Sequence, residues 1–436
     1  MSRLINPGEH TTLLSLFRLK DRIFYGWVMV GAFFVVGAAT WGLNNSFGVF
    51  FKSIESEFSL TRAATSTIVS LQAALGCIIA IIGGWALDRY GPRMLTLLLG
   101  LSTGLGLLLT SQTNALWQLF ITYSFLLSLG RGTIYIMLMG TISRWFDKKR
   151  GLALGIASSG MGLATVIIAP FATYLISSFG WRMAYVIIGL IAWLLVIPSS
   201  KLMRKNPHEI GVLPDGAKSS LDETGTEKPK QEGITKPAGL SLLEAFRTRN
   251  FWLLGSTWLL HAFCLFLVIT HIVPHATDMS ISAMEAATIL SLIGGSSVVG
   301  RLLLGRISDS IGRKGTVIAC ALLLAGAMIW LIWSQDLWML YLFGVVWGLF
   351  SGGLDPAMAA LIGDTFGMRN IGVIMGIMNI AWGIGATVGP AIGGLAFDVS
   401  ESYSIAFLAG ALSMLAAALL IALTAGNQLK GKHHHL

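Results

Sequence analysis

Apolar stretches of about 20 residues recur along almost the whole chain, and this feature most restricts how the chain can fold. A helix of roughly 20 residues spans the ~30 Å hydrocarbon core of a bilayer. In lipid, only helices and closed barrels satisfy all their backbone hydrogen-bonding groups, and the alternating pattern of barrel strands is absent here. Hydrophobic residues make up 54% of the chain and charged residues only 12%. The sequence therefore predicts an all-α polytopic membrane protein embedded in the lipid bilayer.

The apolar stretches predict about 12 transmembrane helices in two groups of six. The segment between the groups is rich in Lys, Glu, Pro, Gly and Ser, a composition typical of a linker with little fixed structure. We expect an N-terminal segment 1–23, a six-helix bundle 24–202, a cytoplasmic linker 203–249, a second six-helix bundle 250–425 and a C-terminal tail 426–436. The expected helices are 24–51, 62–87, 94–112, 115–143, 151–178, 183–201, 250–275, 283–307, 315–334, 338–363, 370–397 and 403–424.

The distribution of Lys and Arg explains the net charge of +9. If both termini are cytoplasmic, nearly all basic residues between the helices lie on the cytoplasmic side, and only Lys52, Arg62 and Arg182 lie outside. Such a bias orients membrane proteins. We therefore expect both termini to be cytoplasmic, and the charge does not indicate a nucleic-acid partner. The protein is expected in the plasma (inner) membrane, as a monomer.

Two motifs recur with the same spacing. The shift in residue number that carries Gly84 onto Gly305 also carries Asp88 onto Asp309 and Gly91 onto Gly312. The same shift, which we call the repeat offset, carries Gly151 and Gly155 of a second motif onto Gly372 and Gly376. Two separate motifs that share one offset indicate a duplicated six-helix unit.

The first of these motifs, GWALDRYGPR at residues 84–93, resembles the signature loop of the major facilitator superfamily. The resemblance covers nearly the whole chain and implies two pseudo-symmetric six-helix bundles that expose a central site alternately to each side of the membrane. It also implies a conformational latch that is made in one state and broken in the other, formed by Asp88, Arg89, Asp309 and Arg313. The alternative is that these residues only cap helices and set the topology.

Three further stretches are similar to monocarboxylate transporters and to the related oxalate/formate antiporters: residues 45–55, 145–155 and 247–252. In both groups an arginine of the eighth helix binds the substrate carboxylate, and by position this arginine is Arg301. A guanidinium at membrane depth costs about 2.5–3.5 kcal/mol, so it should face protein or a water-filled cavity. It can hold a carboxylate through two parallel hydrogen bonds. The alternative is a structural arginine bound to the carbonyls of a neighbouring helix.

Other functional positions of these families are only partly matched in this sequence. It places Tyr135, Asn44 and Asn45 at the substrate site. The first-helix lysine that animal monocarboxylate transporters use for proton coupling falls on Asn45, however, and their acidic partner of the arginine falls on Ser297. The second cation of the antiporters falls next to Asn379, which we include among the substrate-binding candidates.

Ionisable residues elsewhere in the helices could take the place of the coupling residues that this sequence lacks. Arg131 lies one turn before Tyr135 on the fourth helix, and Asp355 lies inside the tenth. Because intramembrane charges usually pair, we expect Arg131 and Asp355 to approach across the cavity, with Asp355 as the titrating group. The alternative is that each is satisfied separately by nearby backbone, or that Asp355 lies in the cytoplasmic mouth of the cavity.

Three aromatic or imidazole side chains complete the candidate set. His261 and His271 are further candidates for proton coupling, since imidazole titrates near neutral pH. Trp382 is a candidate apolar wall for a short carbon chain. For the tryptophan and the histidines, ordinary helix packing is the alternative.

These observations predict a secondary active transporter of small organic anions. Monocarboxylates resembling lactate or pyruvate, carried by proton symport through alternating access, are the first expectation, with a counter-transported anion as the other coupling partner. One alternative is an oxalate/formate-type antiporter of short dicarboxylates, which would be favoured if Arg131 joins Arg301 as the second substrate-binding cation. The other, from a different class, is a receptor that binds organic anions without moving them. The sequence contains no phosphate-binding loop, metal cluster or nucleophile constellation, so neither an enzyme nor a cofactor or metal site is expected.

Overall fold

The computed structural model describes residues 24–146, 149–210, 212–213, 215, 240–367 and 371–424. Within these helices, the side chains of residues 43, 44, 150 and 309 lie outside the description. The described residues contain ten helical stretches long and apolar enough to cross a membrane. Two of them, Arg62–Thr110 and Gly151–Leu202, contain 49 and 52 residues. Each would extend over about 75 Å as one helix, far more than one crossing needs.

Both long stretches are divided by a glycine with positive φ. Gly91 has φ of 75° and Gly180 has φ of 80°, a backbone conformation that favours glycine. The described residues thus form twelve membrane-crossing helices, which confirms the predicted fold class. In chain order, α1 to α12 are Tyr25–Glu57, 62–90, 92–110, Leu116–Trp145, 150–179, 181–202, Arg249–Asp278, Ala283–Ile311, Arg313–Trp333, Leu337–Phe366, Ile371–Ser400 and Ser404–Ala422.

The helix ends differ from the expected boundaries at several places. The helical part of α1 is interrupted at Ser46 and continues to Glu57, beyond the expected end at residue 51. The motif at residues 84–93 is not an extended loop, because α2 continues to residue 90 and the chain reverses at Gly91. At the start of the predicted linker, Met203 is buried, and Trp145 donates a hydrogen bond to the carbonyl of Arg204 at 3.3 Å. These first linker residues therefore pack on the first bundle.

The duplication is visible in the backbone as well as in the motifs. The repeat offset relates three pairs of positions that share the uncommon positive φ: Ser59 with Ser280, Gly91 with Gly312, and Gly180 with Glu401. Thr61 and Ser282, which the same offset relates, both cap the following helix through their side-chain oxygens. The two halves therefore turn at equivalent places.

The buried side chains divide in the same way. Most residues of the largest apolar cluster belong to α7–α12, whereas two other clusters lie entirely within residues 29–203. A small fourth cluster joins the halves, with Ala73 of α2 packed against Ala262 and Phe266 of α7 and Ala386 of α11. The two bundles thus have their own cores and meet at a limited apolar contact near the middle of the membrane.

The bundles touch along α2–α11 and α5–α8, but only over part of their length. A Cβ added to Gly294 of α8 would lie 2.7 Å from the carbonyl oxygen of Gly162 of α5, so these helices are in close contact. Nearer the other end, a Cβ added to Gly155 or Gly376 would meet no atom within 4 Å. We call the closed end of the molecule the Arg62 end and the open end the Asp88 end. The bundles thus pack closely toward the Arg62 end and less closely toward the Asp88 end, and we call the space between them at the Asp88 end the central cavity.

Candidate functional site

The Arg62 end is closed by a salt bridge between the bundles. Arg62 begins α2 and is only 7% exposed. Its guanidinium donates to both carboxylate oxygens of Asp278 at the end of α7, at 2.5 and 2.8 Å, and to the hydroxyl of Tyr403 at 2.7 Å. The parallel pair of charge-assisted bonds is the strong geometry for arginine and carboxylate. Arg62 therefore fastens the first bundle to the second.

Other groups reinforce this closure. The carboxylate of Asp398 on α11 accepts hydrogen bonds from the backbone nitrogens of Arg62 and Ala63, at 3.0 and 2.9 Å, and so caps the first turn of α2 from the opposite bundle. The ring of Phe397 lies 3.6 Å from the guanidinium carbon of Arg62. Lys52 of α1 adds a second contact to Asp278 at 2.7 Å. The closure thus uses charges from α1, α2, α7 and α11.

Neither Arg62 nor Asp278 is among the functional residues predicted from the sequence, although a signal for them is present in it. Lys52, Arg62 and Arg182 are the exceptions to the expected bias of basic residues toward the cytoplasmic side. All three form ion pairs at this end, and Arg182 pairs with Glu57 inside the first bundle at 3.0 Å. A basic residue that departs from the topological bias was therefore the sign of a specific acidic partner.

His271 lies inside this closure rather than in the central cavity. Its Nε2 is 2.9 Å from the carbonyl oxygen of Pro390 and 3.3 Å from the hydroxyl of Ser66 on the opposite bundle. Because that carbonyl can only accept, Nε2 carries the proton, and Nδ1 then accepts from the hydroxyl of Tyr403 at 3.2 Å. Burial raises the pKa of Tyr403, so this hydroxyl keeps its proton. Both ring nitrogens of His271 are therefore hydrogen-bonded within the closure.

Arg301 lies on α8 about three turns from the Asp88 end and is half-buried. It donates one hydrogen bond to the carbonyl of Ser158 on α5, at 3.3 Å, and forms no ion pair within the described part of the chain. A guanidinium has five N–H donors, so most of them remain available. Tyr135 of α4 interacts electrostatically with both Arg301 and Asp355 of α10. The structure therefore brings these three predicted residues together.

The expected approach of Arg131 to Asp355 is wrong for this conformation. The Oδ1 of Asp355 lies 3.5 Å from Nδ1 of His261, whereas Arg131 lies 4.7 Å from the ring centre of Phe266 and 5.7 Å from that of Trp41. His261 and Phe266 both belong to α7, which supplies neighbours of both charged residues. Arg131 and Asp355 thus have different neighbours on α7 and form no ion pair with each other.

Hydrogen bonds from other groups do not support the contact between Asp355 and His261 within the described part of the chain. His261 is fully buried, and neither of its ring nitrogens has a hydrogen bond among the described residues. The buried Oδ1 of Asp355 is also without one. The edge of the Trp382 ring packs against the imidazole with 5.4 Å between ring centres. A carboxyl group and an imidazole thus face each other, with an indole packed against the imidazole.

The remaining predicted substrate residues lie in different surroundings. Asn45 of α1 donates to the hydroxyl of Thr165 on α5 at 3.4 Å, and Asn379 is half-buried on α11. The side chain of Asn44 lies outside the described residues. Because α1 begins at the Asp88 end and α8 ends there, Asn45 lies about three helical turns deeper than Arg301. Of the two asparagines, Asn379 is nearer to Arg301 in depth.

The expected latch residues lie at the open end. Asp88 pairs with Arg144 at 2.7 Å, and Arg313 pairs with Asp364 at 2.6 Å, each within its own bundle. Arg89 lies over the rings of Trp85 and Tyr90, at 5.5 and 5.7 Å from their centres. The side chain of Asp309 is outside the described residues. In this conformation the described latch contacts stay within the bundles, so a latch between states remains a prediction.

Comparison with known proteins agrees with this architecture. The chain is similar to monocarboxylate transporter 12 of Xenopus laevis, with 26% identity over 411 residues, 92% of this chain and 88% of that protein. It is 25% identical to monocarboxylate transporter 13 of Bos taurus over 402 residues, 92% of this chain and 89% of that protein. It is also 25% identical to monocarboxylate transporter 11 of Homo sapiens over 397 residues, with 88% and 79% covered.

Solved structures share the fold. A bacterial homologue of the human lysosomal transporter Spinster, in an inward-facing and unoccupied conformation, superimposes with a TM-score of 0.67 at 17% identity, covering 92% of this chain and 95% of that one. The family model of the Major Facilitator Superfamily matches residues 28–316 and 273–433. The two bundles, their duplicated turns and these matches together establish that the chain belongs to the major facilitator superfamily and is a membrane transporter that resembles the monocarboxylate transporters.

Proposed function

We propose that the protein is a secondary active transporter of small organic anions, with monocarboxylates such as lactate or pyruvate as substrates and protons as the coupling ion. The substrate binds in the central cavity beside Arg301, and the two bundles rock to expose it alternately to each side. The relatives reported above carry the name monocarboxylate transporter, which supports this substrate class.

The observation that carries the proposal is the position of Arg301. It is a permanent cation in a half-buried place on the cavity side of α8, and a single backbone carbonyl is its hydrogen-bond partner among the described residues. Retaining such a group in a membrane helix is costly unless it serves a polar partner. A carboxylate fits the planar fork of the guanidinium, and it also replaces the lost hydration better than one carbonyl does.

Charge balance favours a proton as the co-substrate. Before substrate binds, Arg301 and Asp355 carry opposite charges, and Tyr135 interacts with both. A bound carboxylate would leave two anions and one cation in this group. A proton taken up by the pair of Asp355 and His261 restores neutrality, and low local dielectric makes that restoration favourable. The substrate and the proton therefore help each other to bind.

The proposed topology places both termini in the cytoplasm and the protein in the plasma (inner) membrane as a monomer. The bias of basic residues supports this orientation. The Asp88 end then faces the cytoplasm, and the cavity is open inward. Release of the Arg62 closure, together with approach of the helices at the Asp88 end, opens the cavity to the outside.

Uptake into proteoliposomes tests the proposal. Labelled lactate, pyruvate, acetate, formate and oxalate are supplied to the full-length protein with and without an inward proton gradient. We expect concentrative uptake of a monocarboxylate only with the gradient, and a loss of about a hundredfold or more in Arg301→Ala, the size expected for two charge-assisted hydrogen bonds. Arg301→Lys keeps the charge without the fork and should fall between the two.

The control variant is Arg182→Ala, which removes an arginine whose ion pair lies within one bundle. Undiminished uptake by Arg301→Ala would remove Arg301 from the site. Saturable binding in detergent without any flux would identify the protein as a receptor instead. Gradient-independent exchange of oxalate for formate would favour the dicarboxylate antiporter.

A further inference from the structure

We propose that one hydrocarbon chain of a membrane phospholipid binds in a pocket between α2 and α11 and forms part of the contact between the two bundles. The pocket has a volume of about 230 Å³ and is lined by Ala74 and Cys77 of α2 and by five residues between Ile380 and Val388 of α11. These positions lie in the middle of both helices, at the depth of the hydrocarbon core. The inference does not depend on which substrate the protein carries.

The lining of the pocket favours an apolar ligand. Apart from Cys77 and Thr387, the lining side chains are hydrocarbon. The hydroxyl of Thr387 donates within α11 to the carbonyl oxygen of Gly383 at 2.8 Å, and a buried thiol behaves as a small hydrophobe. Apolar cavities stay dry, and this volume is below the range of about 300–1,000 Å³ found for pockets that hold drug-sized ligands. The chemistry and the size therefore suit a narrow hydrocarbon chain.

The pocket opens toward lipid. Ile380, Ile384 and Val388 follow one another by one turn on α11 and are between 41% and 50% exposed. Gly385 marks another face of the same helix, where an added Cβ would lie 2.1 Å from a backbone oxygen of α7. Exposed aliphatic side chains are stable in hydrocarbon and costly in a water-filled cavity. Lipid chains surround the protein at this depth, so they are the molecules that reach the pocket.

The equivalent contact between α5 and α8 is filled by protein. The repeat offset carries Gly162 onto Gly383 and Cys77 onto Val298, so each contact pairs a glycine with a side chain of the other bundle. A Cβ added to Gly162 would have three residues of α8 within 3.2 Å, the nearest being Val298 at 2.9 Å. Among the described residues outside its own helix, a Cβ added to Gly383 would meet only Cys77 within 4 Å. The contact between α2 and α11 is therefore the less completely packed of the two.

A hydrocarbon chain completes this contact. Atoms that border a void lose dispersion contacts, and the loss increases with the volume of the void. Removal from water does not drive binding inside a membrane, so the gain for the chain is close packing, as it is for contacts between membrane helices. Because α2 belongs to the first bundle and α11 to the second, a chain in the pocket packs against both bundles.

Photolabelling in proteoliposomes tests the site. The full-length protein is reconstituted into phosphatidylcholine that carries a photoreactive diazirine in the terminal half of one chain, and labelled peptides are identified by mass spectrometry. We expect labelling of residues 380–388 of α11 to exceed that of the equivalent residues 159–167 of α5 by about tenfold, since a small difference in packing energy is enough for that ratio.

Matched variants relate the label to the pocket. Val388→Phe places a ring in the pocket from its exposed rim, so it should lower the α11 labelling to the level of α5. The control is Ile167→Phe, at the position that the repeat offset relates to Val388 and that is 63% exposed, and it should leave the α11 labelling unchanged. Val298→Ala empties the equivalent space beside α5. It should raise the α5 labelling severalfold, a gain that can be measured even if Val388→Phe fails to fold.

Equal labelling of α5 and α11, or α11 labelling that Val388→Phe does not change, would overturn the proposal, because it would show ordinary contact with surrounding lipid. An unchanged α5 signal in Val298→Ala would also contradict it. A photoreactive free fatty acid at the same membrane content is the second arm. If it labels the pocket more strongly than the phospholipid does, the occupant is a free carboxylic acid and the proposal is wrong. The proposed function is judged separately, by lactate uptake in Arg301→Ala.

Discussion

Arg62 and Asp278 lie 216 residues apart in the chain and are joined by two hydrogen bonds of 2.5 and 2.8 Å that connect the two bundles. The repeat offset relates Asp278 to Glu57, yet Glu57 pairs with Arg182 of its own bundle. The duplicated unit thus has an acidic residue at the end of its first helix in both copies. Only the second copy uses it to hold the bundles together, so the closure is asymmetric although the fold is not.

Removing the closure should shift the conformational equilibrium. In Arg62→Ala the state closed at the Arg62 end loses about 1–3 kcal/mol, less than for a fully buried pair because the Asp278 side chain is 29% exposed. That loss is a shift of about tenfold to a hundredfold in population. The measurement is labelling of Ser66→Cys by a membrane-impermeant thiol reagent, in a background without Cys77, Cys264 and Cys320.

We expect faster labelling in Arg62→Ala and in Asp278→Ala, and recovery of protection in the exchanged variant Arg62→Asp with Asp278→Arg. Glu57→Ala is the matched control, since it breaks the equivalent acid's pair within one bundle. Equal labelling in all variants would show that the salt bridge does not hold the closed state.

Neutralising the acid–base pair should separate proton coupling from substrate movement. His261→Gln and Asp355→Asn remove the 3.5 Å contact that we propose as the proton site. Lactate exchange at equal pH on both sides should continue, while uptake driven by a proton gradient should fall at least tenfold. His208 is exposed and lies outside the membrane-crossing helices, so His208→Gln is the control. If gradient-driven uptake persists in both variants, the coupled proton binds at another site.

Adjacent glycines of α8 should differ sharply in their tolerance of a side chain. A Cβ on Gly294 would lie 2.7 Å from the backbone oxygen of Gly162, whereas one on Gly295 would lie at an ordinary 3.5 Å from Val166. Gly294→Val should therefore separate α5 from α8 and reduce transport more than tenfold, with Gly295→Val much less affected. Initial rates of lactate exchange, normalised to protein inserted, measure the contrast. Equal rates would show that α5 and α8 can accommodate an added side chain at this contact.

The charges at the open end should matter for transport more than for stability. Asp88 is largely exposed and pairs with Arg144 inside the first bundle. Such a surface pair contributes at most about 1 kcal/mol, so Asp88→Asn should change the melting temperature in detergent by only a few degrees. If the residue belongs to a latch of the other conformation, exchange should fall several-fold. Unchanged exchange would support the alternative, in which Asp88 only caps a helix and sets topology.

Several features of the fold were predictable because they depend on local sequence. Helix number followed from the length of apolar stretches, and the repeat offset found in two motifs reappears at Ser59 and Ser280 and at Gly91 and Gly312 in the backbone. Tyr135 interacts electrostatically with Arg301 in the structure, and the role of both residues in substrate binding stays a prediction. The expected contact of Arg131 with Asp355 does not appear, since the similar depth of two charges does not say which side chains helix packing places beside each of them.

The sequence by itself determined that this chain spans a membrane twelve times, that it consists of two related halves, and that Arg301 is a cation in an apolar helix. These properties follow from hydrophobic length, from repeated motifs and from residue type, which are all local. Only the tertiary structure decided the partners of the charges: Arg62 with Asp278, His261 with Asp355, and Arg131 with the rings of Phe266 and Trp41. The physical reason is that Coulombic and hydrogen-bonding contacts act over a few ångströms, and helix packing in one conformational state sets those distances.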